Sequence, residues 1–175
     1  MSRITRLALL LLIVLAPLPA AAATDLEVSA RHFDNPARVG TARFSYLFWD
    51  VYDARLVSPD GVYRRDGPVA LTLVYLRTLK GSAIVERSLS EMRRLGMGDE
   101  TRLAAWGAEL SRLIPDVRES DTISGVRDRD GRTFFYVNGA LAGRIDDAGF
   151  GRYFFDIWLG PDSLDRRFTA QLTGN

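Results

Sequence analysis

The chain has 175 residues, of which 23 are Lys or Arg and 22 are Asp or Glu, giving a net charge of +1 at neutral pH. That balance excludes a nucleic acid or other polyanion as the expected principal partner. There is no cysteine and a single histidine, His32, which rules out disulfides, thiolate metal sites and cysteine nucleophiles and argues against a His-rich zinc centre or a Ser-His-Asp triad. No cofactor is expected.

The first residues, MSRITRLALLLLIVLAPLPAAAAT, set Arg3 and Arg6 ahead of an apolar run from Leu7 to Ala16, followed by Pro17, Pro19 and a group of alanines. This is the layout of a secretory signal peptide with Ala21-x-Ala23 as its cleavage motif. The run falls well short of the roughly 20 residues of a spanning helix, so no stable membrane anchor is expected. The division is residues 1–23 as signal peptide and 24–175 as one domain, periplasmic or secreted. A chain of that length buries enough surface for one core. His32, in a polar stretch, reads as a surface or edge histidine.

The segment VGTARFSYLFWDVYDARL, 39–56, alternates and is rich in Phe, Tyr, Trp and Val, which predicts two strands with a reversal near Leu47 to Asp50. SPDGVYRRDGP, 58–68, collects turn residues and predicts a loop. PVALTLVYL, 68–76, is apolar on both faces, as a strand in the middle of a covered sheet must be. A helix follows over GSAIVERSLSEMRRLG, with Val85, Leu89 and Met92 at helical spacing, Ser82 as cap and Gly96 as stop. A second runs through DETRLAAWGAELSRLIP, with Asp99 as cap, Leu103, Trp106, Leu110 and Leu113 as the buried stripe, and Pro115 as the end.

From Asp121 the period returns to two. Asn138-Gly139 between apolar runs is the strongest hairpin signal in the chain, and the charged run RDRDGR, 127–132, reads as the solvated tip of the preceding hairpin. The end is helical: Asp146 or Asp147 caps a helix with Phe150, Phe154, Ile157 and Trp158, and Asp162 or Ser163 opens a last one with Leu164, Phe168 and Leu172. Strands, two helices, strands and two helices define an α+β chain, an antiparallel sheet backed by helices on one side.

Glycine pairs at 96–98 and 149–151 complete no phosphate-binding loop, and Asp50, Asp53, Asp146 and Asp147 are better read as caps and ion-pair partners than as a metal or glycosidase cluster. The ordered set GTAR, WDVYDARL, ALTLVYL, GSAIVERSLSEMRRLG and FYVNGALAGRIDDAGFGRYFFDIWLG resembles the chalcone isomerase family, its bacterial secreted members above all, over residues 38–172. The resemblance implies an open-faced β-sandwich in which a large antiparallel sheet is covered by helices, with a cleft between them. Plant enzymes of the family close a chalcone into a flavanone, whereas related members lack that activity and bind fatty acids.

By resemblance, the family's cleft arginine corresponds to Arg43, and the position that is threonine in the enzymes and commonly tyrosine in the fatty-acid binders corresponds to Tyr52. The enzymes' further donors correspond to Gly81 or Ser82, Ser88 and Ile157, which leaves most of that set missing; losing even one oxyanion donor costs on the order of 100-fold.

An arginine facing an apolar cleft needs a carboxylate partner, a water network or an anionic ligand. A guanidinium with a phenol suits a carboxylate, and the expected function is a non-catalytic holder of a fatty acid or similar apolar carboxylate. Arg43 and Tyr52 would take the head group, and Phe44, Leu89, Met92 and Ile157 would line the tail channel. Three alternatives stand beside it: a structural salt bridge from Arg43 to Asp50 or Asp53, an intramolecular lyase anchored by Arg43, and an envelope protein-interaction module using exposed aromatics such as Trp49 and Tyr63. No particular protein partner is indicated.

Overall fold

The computed structural model describes residues 23–163 and 165–174; the predicted signal peptide, apart from Ala23, and Leu164 lie outside them. Six strands, β1 (Ala37–Tyr46), β2 (Trp49–Ser58), β3 (Val69–Tyr75), β4 (Thr122–Arg127), β5 (Thr133–Val137) and β6 (Ala140–Ile145), form one sheet in sequence order, each antiparallel to its neighbours. Helices α2 (Gly81–Arg94) and α3 (Glu100–Leu113) connect β3 to β4, and α4 (Ala148–Leu159) and α5 (Arg166–Thr173) follow β6.

Because strand side chains alternate, each of β2, β3 and β4 feeds two layers. Ala54, Leu56, Leu71, Leu73 and Ile123 point toward the four large helices and join Trp106, Phe150, Phe155 and Leu172 in the main core. Val57, Ala70 and Val126 point the other way, where Val28 and Phe33 cover them. The second layer corrects the expectation of helices on one side only. A short helix, α1 (Asp25–Ser29), capped by Thr24, sits on the opposite face. Its buried Asp25 accepts from Arg38 on both oxygens, Nη2 donating to Oδ1 at 3.1 Å and to Oδ2 at 2.9 Å and Nε to Oδ2 at 3.3 Å. His32, partly exposed at the edge of this layer, lies within 2.8 Å of the Tyr136 hydroxyl.

Gly40 and Gly139 are among the glycines that the geometry requires. Gly40 lies so close to α5 that a Cβ there would come within 2.4 Å of the Gln171 carbonyl oxygen; this close approach lets α5 close over β1. Asn138 and Gly139, at φ 48° and 79°, make the tight β5–β6 turn, as predicted from their sequence.

Several caps differ from the sequence expectation. The start of α2 is held not by Ser82 but by Asp116, far along the chain, whose carboxylate accepts from Gly81 N–H at 2.9 Å. Asp165, rather than Asp162 or Ser163, caps α5. Arg127, predicted to be solvated, is only 6% exposed and donates to the carbonyls of Arg65 and Gly67, tying the 58–68 loop to β4. Its neighbours Asp128, Asp130 and Arg132 do form a loop of mutual hydrogen bonds and ion pairs, while Arg129 pairs with Asp34 at 3.5 Å.

Asp147 joins the two helical pairs. It caps α4 through Gly149 N–H at 2.9 Å, accepts from the Trp106 indole at 3.0 Å and forms a two-pronged ion pair with Arg102 of α3. The bonds from Arg102, helped by those from Trp106 and Gly149, pull its carboxyl down to about 2. Replacing Asp147 with Ala removes a cap and strands the buried Trp106 N–H, so urea unfolding should show a loss of about 2–4 kcal/mol. Because the folded pKa is depressed, this contribution is complete above about pH 4 and lost as pH falls toward 2. Asp147→Asn, which still caps, should flatten the melting temperature across that window relative to wild type.

Candidate functional site

Between the sheet and α2, α4 and α5 lies a cavity of about 290 Å³. Its walls are mainly apolar: Phe44, Leu73 and Ile123 from the sheet, Ile84 from α2, Phe154 and Ile157 from α4, and Phe168 from α5. Phe44 and Tyr52 are direct cross-strand partners, stacked at 5.1 Å between ring centroids. Just before Tyr52 the register slips by one residue, so that Tyr52 pairs with Phe44 but Asp50 pairs with Ser45. Val51 is the extra residue, and the bulge brings it to the cavity wall beside Tyr52.

The polar end of the cavity is built on Tyr52. Its hydroxyl accepts from the Trp158 indole N–H at 2.9 Å, while its own proton has no acceptor among the described residues. Tyr75, packed edge-on to Tyr52 at 6.1 Å, is 2% exposed and also lines the cavity. Among the fully enclosed side-chain polar atoms of the described residues only Thr133 Oγ1 lacks a partner, so the Tyr75 hydroxyl, which has no partner among those residues, opens on the cavity. Burial raises the pKa of both phenols far above ordinary tyrosine. Both are therefore neutral hydrogen-bond donors at physiological pH, and neither is a phenolate base.

Arg87, Glu91 and Asp165 complete this end. Arg87 bonds Glu91 at 2.8 Å, and Glu91 also accepts from Arg94 at 2.7 Å. With 63% of its side chain exposed, Arg87 keeps further N–H groups for a ligand at the rim. Asp165 is engaged by the first N–H groups of α5.

Arg43 is elsewhere. It stands on the α1 side of β1, 53% exposed, bonded to Asp53 at 2.6 and 2.8 Å and to Asp50 at 3.1 Å. These bonds raise its pKa and lower that of Asp53. The salt-bridge alternative is therefore what the geometry displays, and Arg43 and Tyr52 do not converge. The reason is the strand period: Phe44 and Tyr52 face the helices, so Arg43 and Asp53, one position along each strand, face away.

Of the residues expected along the tail channel, Phe44 and Ile157 line the cavity, whereas Leu89 and Met92 do not. Met92 is fully buried in the main core. Leu89 turns toward α3, where it fills the space above Gly107. The helix face that meets the cavity is the neighbouring one, carrying Ile84, Arg87, Ser88 and Glu91. At the positions matched with the enzymes' donors, Gly81 N–H bonds Asp116, the Ser88 hydroxyl bonds the Ile84 carbonyl at 2.9 Å, and Ile157 has no donor. Tyr75, Arg87 and Trp158 were not identified from sequence as site residues. Ile84 and Arg87 are one turn apart on a helix whose core stripe is visible, and that spacing is the only local signal for the Arg87 face.

No family model matches the chain. An uncharacterized protein of Haemophilus influenzae is 27% identical over 148 residues, covering 83% of this chain and 72% of that protein. Among solved structures, the chain is similar to a fatty-acid binding protein of Arabidopsis thaliana, with a TM-score of 0.63, 13% identity and coverage of 80% of this chain and 87% of the other. The chain thus has the chalcone isomerase-like fold, an open antiparallel sheet covered by helices.

The geometry makes the cavity independent of Arg43. An apolar fluorescent dye that brightens on leaving water should light up equally with wild type and Arg43→Ala. Ile157→Trp, which fills the cavity, should abolish most of that signal while circular dichroism still reports a folded chain.

Proposed function

We propose that the protein holds an elongated apolar molecule ending in a carboxylate, such as a fatty acid, with its tail between sheet and helices and its head at Tyr52 and Arg87. The observation that carries this reading is the Tyr52 hydroxyl: it is fixed by the Trp158 indole, faces an apolar cavity and has a proton with no acceptor among the described residues. A carboxylate there would accept from the phenol and from Arg87. The likeness in fold to a plant fatty-acid binding protein supports the same reading.

Magnitudes show why the head group matters. A tail burying about ten methylenes gains about 8 kcal/mol, and association costs at least about 4, so the tail alone reaches only about millimolar affinity. A hydrogen bond to a charged group contributes about 1.5–3 kcal/mol. Titration with a saturated fatty acid should therefore show Tyr52→Phe binding about 10- to 100-fold more weakly than wild type, with Arg43→Ala unchanged. Absence of binding by wild type, or equal affinity in Tyr52→Phe, contradicts the reading.

We also propose that residues 1–23 direct export and are removed. Thr24 N–H already meets the Glu27 carboxylate at 2.7 Å, so a cut after Ala23 would leave the new α-ammonium beside an acid and preserve the start of α1. Intact mass of the periplasmic protein from a bacterial host should correspond to residues 24–175.

A further inference from the structure

The β1–β2 turn is the most apolar exposed feature among the described residues. Tyr46, Leu47, Phe48 and Trp49 are 63, 76, 97 and 63% exposed, four consecutive large side chains at the end of a hairpin. Folding does not account for them, since their exposed surface gains nothing from burial. Backbone geometry does not account for Leu47 either: at φ 55° it occupies a conformation that glycine or asparagine adopts with less strain, and bulky residues there are uncommon. A strained, exposed leucine followed by an almost fully exposed phenylalanine points to a role outside the fold.

We infer that this hairpin tip docks on a lipid bilayer that contains anionic phospholipid. Tyr and Trp flank Leu and Phe, the arrangement that places amphipathic rings at the headgroup level and apolar side chains just beneath. Arg77 lies over the Trp49 ring at 5.0 Å and makes no ion pair among the described residues, so a cation stands beside the tip to meet lipid phosphate. A protein partner fits less well, because a standard interface engages some 20–30 residues a side and this patch is four.

The tip also adjoins the cavity. Phe44 lies two residues before Tyr46, and Val51 two residues after Trp49; both line the cavity, as does Leu79 on the connection that carries Arg77. Docking the tip brings that wall of the cavity to the bilayer surface, the route by which an apolar molecule would pass without crossing water. The docking itself does not rest on the ligand reading, since it concerns residues that the cavity does not use.

The test is sedimentation of the folded chain with vesicles of equal parts phosphatidylcholine and phosphatidylglycerol, compared with phosphatidylcholine alone. Wild type should associate with the mixed vesicles, more weakly with the neutral ones, and its tryptophan emission should shift to the blue as Trp49 leaves water. Leu47→Gly with Phe48→Ser should cut partition at least about tenfold, while its melting temperature is no lower than that of wild type and its cavity still brightens an apolar dye. Wild type that ignores both vesicles, a double variant that associates as well as wild type, or a loss of association that appears only with loss of fold would each overturn the inference. Vesicle association without any fatty-acid affinity would uphold it and count against the ligand reading alone.

Discussion

Phe44 and Tyr52, paired across β1 and β2 and facing the helices, set the organisation of the molecule. Once they face inward, alternation sends Arg43 and Asp53 to the other side of the sheet, where they neutralise each other and Asp50 takes a share. The same two strands thus carry an apolar cavity wall on one face and a charged ladder on the other. A burial argument separates the two: an unpaired guanidinium in the cavity would be costly, while a half-exposed ion pair with two carboxylates is easily accommodated.

The helices complete the cavity because the start of each is anchored by a carboxylate, which for α2 and α4 lies away from the cavity and for α5 stands on its wall. α2 starts on Asp116, α4 on Asp147 and α5 on Asp165, and Asp147 also holds α3 through Arg102 and Trp106. The core stripes of α2 and α3 pack against each other, with Leu89 over Gly107, so the face of α2 with Ile84 and Arg87 is left for the cavity. Gly40 lets α5 close the remaining side. The resulting space is mainly apolar except at one end, where Tyr52 is bonded to Trp158 beside Tyr75 and where Arg87, Glu91 and Asp165 complete the lining; the two phenols are neutral groups whose hydrogen-bonding capacity does not change with physiological pH.

Much of this was legible in the sequence. Alternation located the strands, the Asn138-Gly139 pair located a turn, and the stripes through Leu103, Trp106 and Leu110 marked a buried helix face. The likeness to the chalcone isomerase family located Tyr52, which does face the cavity. Features that depend on tertiary partners were not legible: Asp116 capping α2, Arg127 buried against the 58–68 loop, and α1, whose five residues offer little periodicity. The placement of Arg43 is a different case. Arg43 and Phe44 are adjacent in a strand and cannot both face one cleft without a bulge between them. The slip in register lies at Val51 on the partner strand, which leaves the alternation through Arg43 and Phe44 intact.

The central claim is that a ligand's polar head meets Tyr52, whose hydroxyl is held by Trp158, and Arg87, and not Arg43. An NMR titration of the labelled protein with a saturated fatty acid observes both places at once, through the indole N–H of Trp158 and the Nε–H of Arg43. The account predicts that the Trp158 resonance shifts and saturates with ligand while the Arg43 resonance stays in place. A shift at Arg43 with Trp158 unmoved would contradict it.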